Sequence, residues 1–110
     1  MNKIMSLLTV CRRAGKLALG ADLVKDALKT GTAWGVFAAS DLSEKSLKEL
    51  RFHCARYSRP LFPLGMTMDE VSEQLGKRTG ALAVCDAGFF KKAKAIIEET
   101  TRGNAGNGAE

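Results

Sequence analysis

The segment RRAGKLALGADLVK, residues 12–25, decides the fold class, because it passes from a helix to a strand and back to a helix. Gly15 ends a helical pattern, Leu17–Leu19 has the composition of a short strand, and Gly20 opens the next helix. The first backbone N–H groups of a helix have no partner within it and lie at the positive end of its dipole, so they attract anions. Four basic residues within the segment flank that helix start and predict a partner that carries phosphate.

The rest of the chain continues the alternation of helices and strands. Apolar residues at helical spacing predict five helices, and short apolar runs predict strands at 17–19, 34–39, 61–64 and 81–85. Leu23, Val24, Ala27 and Leu28 form the predicted buried face of the second helix. This order predicts an α/β fold, a three-layer α-β-α sandwich around one four-stranded mixed sheet. We expect one domain over residues 1–101 and a disordered Gly- and Asn-rich tail over 102–110.

Two residue pairs and one aspartate resemble signals for the start of a helix. Thr67 with Glu70 matches a capping box, and Asp41 with Glu44 has a similar spacing. Asp22 is either the N-cap of the second helix or an acceptor for the N–H groups of a nucleobase. The sequence leaves both roles open.

Charge and composition favour an anionic partner. The chain of 110 residues has a net charge of +5 and a pI of about 9.3. The excess lies in residues 1–35, where six Lys and Arg face two Asp. Since the apolar stretch at the N-terminus is followed at once by Arg12 and Arg13, and no apolar run is long enough to span a membrane, we expect a cytoplasmic protein. Cys11, Cys54 and Cys85 lack metal-site spacing and are expected to be buried free thiols.

No residue pattern in the chain indicates catalysis. The only histidine, His53, lies inside the third predicted helix, and no serine occupies a G-x-S-x-G motif. The carboxylates lie mostly on solvated helix faces, and the LGKRTG segment at 75–80 lacks the order of a phosphate-binding loop. We therefore predict no enzyme activity, no metal and no cofactor.

Two segments are candidates for binding. In the first, Gly20 permits close approach of a second backbone, and Lys16 and Lys25 are placed to neutralise phosphates. In the second, Lys77, Arg78 and Thr79 supply donors between two glycines, although a solvated helix end has the same composition. Both segments join a helix to a strand, so the sandwich allows them to lie at one end as a platform for a bent RNA backbone.

The aromatic residues do not suggest a surface for stacking bases. Trp34, Phe37, Phe89 and Phe90 fall on predicted core faces, and no row of exposed rings is evident. The sequence therefore favours recognition of structured RNA by shape and phosphate.

Several short motifs together resemble the L-seven-Ae family of ribosomal and kink-turn RNA-binding proteins, in particular its small bacterial YlxQ-type members. The motifs are RAGK at 13–16, Gly20, ALKTG at 27–31, ASDLS at 39–43, LGK at 75–77 and DAGF at 86–89. The resemblance covers about residues 7–97. It implies an α-β-α sandwich that binds kink-turn RNA, with the backbone at the glycine pressed against the RNA. The implied binding residues are Gly20, Ala21, Asp22, Leu23, Lys25, Lys77, Arg78, Thr79 and Gly80. We add Arg13 and Lys16 to the predicted RNA-binding residues because of their charge.

Two features depart from the family pattern. Kink-turn readers usually have Asn or Lys followed by Glu or Gln near the glycine, where this chain has Asp22 and Leu23. A leucine side chain forms no hydrogen bond, and a carboxylate only accepts them. The loop before residue 81 is also shorter than is usual in the family.

We therefore expect a monomeric, non-catalytic RNA-binding protein, associated with the ribosome. One alternative is a protein-interaction module of the same fold that has lost kink-turn specificity. The other is an enzyme acting on a phosphorylated small molecule at the Gly20 helix start.

Overall fold

The computed structural model describes the backbone of residues 3–109 and the side chains of residues 3–99. Five helices alternate with four strands, as the sequence predicts. The elements are α1 Lys3–Arg13, β1 Leu17–Leu19, α2 Ala21–Lys29, β2 Gly35–Ala38, α3 Glu44–Arg56, β3 Leu61–Pro63, α4 Met68–Leu75, β4 Ala81–Val84 and α5 Ala87–Ala109.

The four strands form one mixed sheet in the order β1-β4-β2-β3. Strand β4 is antiparallel to both β1 and β2, whereas β2 and β3 are parallel. Every residue of β2 and of β4 is buried, which explains their unbroken apolar sequences. The predicted mixed sheet is confirmed, and its two central strands are the fully buried ones.

Helices cover both faces of the sheet and give three layers. Phe37 and Leu82 lie in one core with residues of α1, α4 and α5, such as Leu8. Val36 and Ala83, one residue away along the same strands, lie in a second core with residues of α2 and α3. This division follows from the alternation of side chains along a strand. The predicted three-layer α-β-α sandwich is confirmed.

Helix starts match the sequence prediction at α4 but differ at α2 and α3. Thr67 and Glu70 form the capping box, with bonds of 3.1 and 3.0 Å in the two directions. The N-cap of α3 is Ser43, whereas the carboxylate of Asp41 accepts a bond from the backbone N–H of Met68 at 2.9 Å. The N-cap reading of Asp22 is also wrong, because the N-cap of α2 is a glycine and Asp22 lies in the first helical turn.

Two apolar residues assigned to the core are instead exposed. Trp34 is 41% exposed, because it precedes β2 and lies outside the sheet. Leu23 is 52% exposed, since the buried stripe of α2 runs through Val24, Ala27 and Leu28 without it.

The last helix is longer than the sequence suggests. Helix α5 continues to Ala109, through most of the segment 102–110 for which we expect disorder. A helix pairs its own backbone groups and can therefore continue without contacts to a core. The side chains from Thr100 onward lie outside the described residues, and the domain boundary near residue 101 and the disordered tail stay predictions.

Candidate functional site

The two candidate segments meet at one end of the sheet. The antiparallel pairing of β1 with β4 places the end of β1 beside the start of β4, so the backbone N–H of Gly20 donates to the carbonyl of Ala81 at 2.9 Å. The Lys77 ammonium then crosses between the segments and donates to the carbonyl of Leu19, also at 2.9 Å. The loop before β4 is therefore attached to the turn before α2 through backbone and side chain alike.

Gly20 has a backbone conformation that requires glycine. Its φ of 113° and ψ of 148° belong to a region that L side chains rarely adopt. A Cβ at this position would also lie 2.9 Å from the Lys77 Nζ. Because the N-cap of α2 is a glycine and provides no side-chain bond, the N–H groups of the first turn remain for an external acceptor.

The loop between α4 and β4 is shaped by its two glycines. Gly76 ends α4 in the left-handed conformation, with φ 78°. A Cβ there would lie 3.3 Å from a guanidinium nitrogen of Arg12, so this arginine lies against the loop. A Cβ at Gly80 would collide with Leu42 at 2.5 Å, which fixes the loop against the segment that follows β2.

Arg78 and Thr79 have partners within the fold. The Arg78 guanidinium donates to Asp69 at 2.8 Å, and both side chains are exposed. That hydrogen bond raises the pKa of Arg78 above its ordinary value. The Thr79 hydroxyl accepts from the backbone N–H of Ala81 at 3.2 Å and closes the loop onto β4.

A cleft of about 210 Å³ opens beside this loop, between α2 and α3. Asp22 and Lys25, which face the same side of α2, line it together with Glu49 and the half-buried His53 of α3. We call the exposed area around this cleft and loop the Gly20 surface. Its residues are Arg12, Gly20, Ala21, Asp22, Lys25, Lys77, Arg78, Thr79 and Gly80.

The structure does not bring all the candidate residues together. Lys16 lies at the other end of β1 from Gly20. Its carbonyl accepts from the backbone N–H of Cys85 at 2.8 Å. The three residues of β1 lie between Lys16 and Gly20, and the four steps of extended chain put their Cα atoms about 13 Å apart. Leu23 lines a shallow depression beside Lys16, away from the cleft. Arg13 is the exposed last residue of α1.

Arg12 is a further basic residue at this end of the molecule. Arg12 belongs to the Gly20 surface, although the motif at 13–16 directs attention to its neighbour Arg13. The two adjacent arginines in the sequence indicate positive charge near this site, but the sequence does not show which of the two side chains reaches the loop.

Two of the three cysteines are buried, unreactive thiols, and the expectation of burial is wrong for Cys85. Burial raises the pKa of Cys11 to about 12 and that of Cys54 to about 11, so both thiols are protonated at neutral pH. Both are buried, whereas Cys85 is only half-buried. Over the described part of the chain, no group of His, Cys, Asp and Glu side chains is arranged to hold a metal ion. In the same residues, no helix combines the length and apolar character needed to cross a membrane.

Comparisons with known proteins find relatives along most of the chain. No family model matches the sequence. The RNA-binding protein YlxQ of Enterococcus faecium is 34% identical over 96 residues, which are 87% of this chain and 92% of that protein. A protein with unknown function from Bacillus halodurans C has a similar structure, with a TM-score of 0.81 and 30% identity over 89% of this chain and 99% of that one.

A more distant structure shares the fold alone. The 15.5kD RNA binding protein of Giardia lamblia has a TM-score of 0.68 at 15% identity, over 90% of this chain and 89% of that one. The α-β-α sandwich is therefore preserved although few residues are shared.

Proposed function

The chain belongs to the L-seven-Ae family as a YlxQ-type member, and from that membership we propose that it binds structured RNA through the Gly20 surface. Kink-turn RNA is the proposed preferred target, and ribosomal RNA its proposed source. In this proposal the protein acts as a cytoplasmic monomer without catalysis or cofactor.

The contact between Lys77 and the turn before α2 carries the proposal. The Lys77 ammonium donates to the Leu19 carbonyl at 2.9 Å, directly beside Gly20. An ammonium has three N–H donors, so two remain to bind phosphate beside the unpaired N–H groups of α2. Gly20 has no side chain, and an RNA backbone is therefore able to approach this point closely.

The other residues of the surface have complementary proposed roles. Arg12 and Lys25 would add positive charge at the loop and beside the cleft, where a bent RNA backbone brings phosphates together. Asp22 would accept from the exposed N–H groups of a base. Leu23 faces away from the cleft, so in this chain it would not read a base pair.

The test is a titration of two labelled RNAs at moderate salt. One contains a kink-turn, and in the other its G·A pairs are replaced by Watson–Crick pairs. We expect tighter binding of the intact kink-turn and weaker binding by Lys25→Glu and by Lys77→Glu, about tenfold for each lost contact to phosphate. Lys94→Glu, which makes the same charge change on an exposed residue of α5, is the matched control.

Each outcome separates one part of the proposal from another. Equal binding of the two RNAs that still depends on Lys25 and Lys77 keeps the RNA-binding role and rejects kink-turn specificity. Equal loss of affinity in all three variants rejects the Gly20 surface as the site. No binding of either RNA at low salt rejects the function itself.

A protein-interaction role is the second candidate, and it rests on one observation. The apolar side chains of Val10 and Leu23 are each about half exposed, at 51% and 52%. Purification of the tagged protein with a stoichiometric protein partner that survives nuclease treatment would support this role. Recovery of RNA alone would contradict it.

A further inference from the structure

A second surface of the protein carries exposed aromatic rings beside arginines. Phe52 is 61% exposed on α3, and Trp34 is 41% exposed before β2. The Arg59 guanidinium lies 5.1 Å from the centre of the Trp34 ring, and the Arg56 guanidinium lies 5.7 Å from that of Tyr57. Cations at these distances are attracted to the face of the ring and leave part of their charge available to other groups.

The aromatic end of this surface is separate from the Gly20 surface. The backbone N–H of Trp34 donates to the carbonyl of Val84, the last residue of β4, whereas Gly20 bonds to the first, Ala81. The two ends of β4 are about 10 Å apart. Arg59 lies at the same end as Trp34. The carbonyl of the next residue, Pro60, accepts from the backbone N–H of Val36, near the start of β2. A base stacked on Trp34 therefore has no need to contact Gly20, whereas the first turns of α3 border the cleft of the Gly20 surface through Ser46 and Glu49.

The exposed face of α3 adds positive charge to the rings. Lys45, Lys48, Phe52 and Arg56 follow one another at helical spacings of three and four residues, so they share one side of the helix. All four are exposed. From residue 44 to 59 the chain has five Lys and Arg against two Glu, so this region attracts anions.

We propose that this surface, formed by Lys45, Lys48, Phe52, Arg56, Tyr57, Arg59 and Trp34 and called the α3 surface, binds single-stranded RNA. Bases stack on the exposed Phe52 ring and on the Trp34–Arg59 pair, and the lysines and Arg56 neutralise the phosphates. The alternation of rings and cations matches the alternation of bases and phosphates in a single strand. The charge balance gives no comparable reason for an apolar protein partner. This inference goes beyond the proposed function, and it does not depend on kink-turn binding.

The position of the chain's only tryptophan makes the proposal measurable. Trp34 belongs to the α3 surface, and a base stacked beside it quenches its fluorescence. We would titrate the full chain with an unstructured uridine dodecamer at low salt and expect saturable quenching. Phe52→Ala should weaken the affinity about tenfold, since it removes the ring on which one base stacks.

Two further variants distinguish the surfaces. Phe52→Tyr keeps a ring and should keep the affinity, whereas Lys77→Glu changes the Gly20 surface and should leave the quenching unchanged. The exposed position of Phe52 makes its truncation compatible with folding, and thermal unfolding of each variant checks this.

Three results would overturn the proposal. The first is the absence of quenching by the dodecamer at low salt. The second is an affinity that Phe52→Ala leaves unchanged or that Lys77→Glu abolishes. The third is Phe52-dependent binding of polyglutamate without binding of the dodecamer, which would point to an acidic protein instead. Failure of kink-turn binding would not affect these readouts, so the two proposals fail separately.

Discussion

Gly20 and Lys77 constrain each other at the level of single residues. The positive φ of Gly20 directs the chain from β1 into α2, and the absence of a Cβ leaves room for the Lys77 ammonium. The ammonium in turn bonds to the carbonyl of Leu19, at the end of β1. One glycine thus serves both the turn and the proposed contact with RNA.

The change Gly20→Ala should destabilise the protein by roughly 1–3 kcal/mol, the usual cost of a residue held in a region open to glycine. Part of this cost arises because the new methyl group displaces the Lys77 ammonium from the Leu19 carbonyl. Urea unfolding measures the free-energy cost of Gly20→Ala in the wild-type protein and again in Lys77→Ala. The cost should be smaller in Lys77→Ala, and the difference is the part that arises from the contact with Lys77.

Gly15→Ala is the matched control for this experiment. Gly15 also has a positive φ, of 73°, but a Cβ at Gly15 would meet no atom within 4 Å. Its cost should therefore be the same whether or not Lys77 is present. Equal costs of Gly20→Ala in both backgrounds would mean that the contact with Lys77 contributes no stability.

At the level of elements, α4 sets the position of the loop that carries Lys77. Its N-terminus is held by the capping box and by the carboxylate of Asp41, which accepts from the Met68 backbone. Its C-terminus ends at Gly76, and Asp69 on its first turn pairs with Arg78 of the following loop. A short helix with both ends fixed gives the loop a defined place beside β4.

Thr67→Ala should lower the free energy of unfolding by about 1 kcal/mol, because it removes the side-chain bond to the backbone N–H of Glu70. The corresponding fall in the thermal midpoint is roughly 4 °C and is measurable by circular dichroism. Thr67→Ser retains a hydroxyl and is the control. A midpoint for Thr67→Ala equal to that of Thr67→Ser would show that the cap does not stabilise α4.

At the level of the whole molecule, the sheet order separates the Gly20 turn from the aromatic end of the α3 surface. Strand β4 lies between β1 and β2 and is antiparallel to both. The turn after β1 therefore lies at one end of β4, and the turn before β2 lies at the other. Gly20 and Trp34 therefore lie at opposite ends of the same strand, and α3 spans the distance between them, since Ser46 and Glu49 near its start line the cleft of the Gly20 surface. The net charge of +5 is consistent with anionic ligands at both surfaces.

The affinity for kink-turn RNA should fall steeply with salt. If about four phosphates contact the Gly20 surface, the logarithm of the association constant falls with that of the salt concentration at a slope of roughly −3 to −4. Lys25→Glu should make the slope shallower by about 1. Titrations at several salt concentrations give the slope, and a value near zero would contradict an interface based on phosphate contacts.

The sequence by itself determined the alternation of helices and strands, the buried strands β2 and β4 and the capping box of α4. These features depend on local spacing. The apolar residues recur every few positions, and a capping box joins residues only three positions apart. Gly20 was also evident, since a glycine between a strand and a helix marks a turn.

Only the tertiary structure decided which of these parts meet. Asp41 stabilises α4 rather than α3, Arg12 rather than Arg13 lies against Gly76, and Lys16 lies at the opposite end of β1 from Gly20. The exposure of Trp34 likewise depends on where β2 begins. Contacts of this kind are set by the pairing of strands distant in sequence, and local patterns do not contain that pairing.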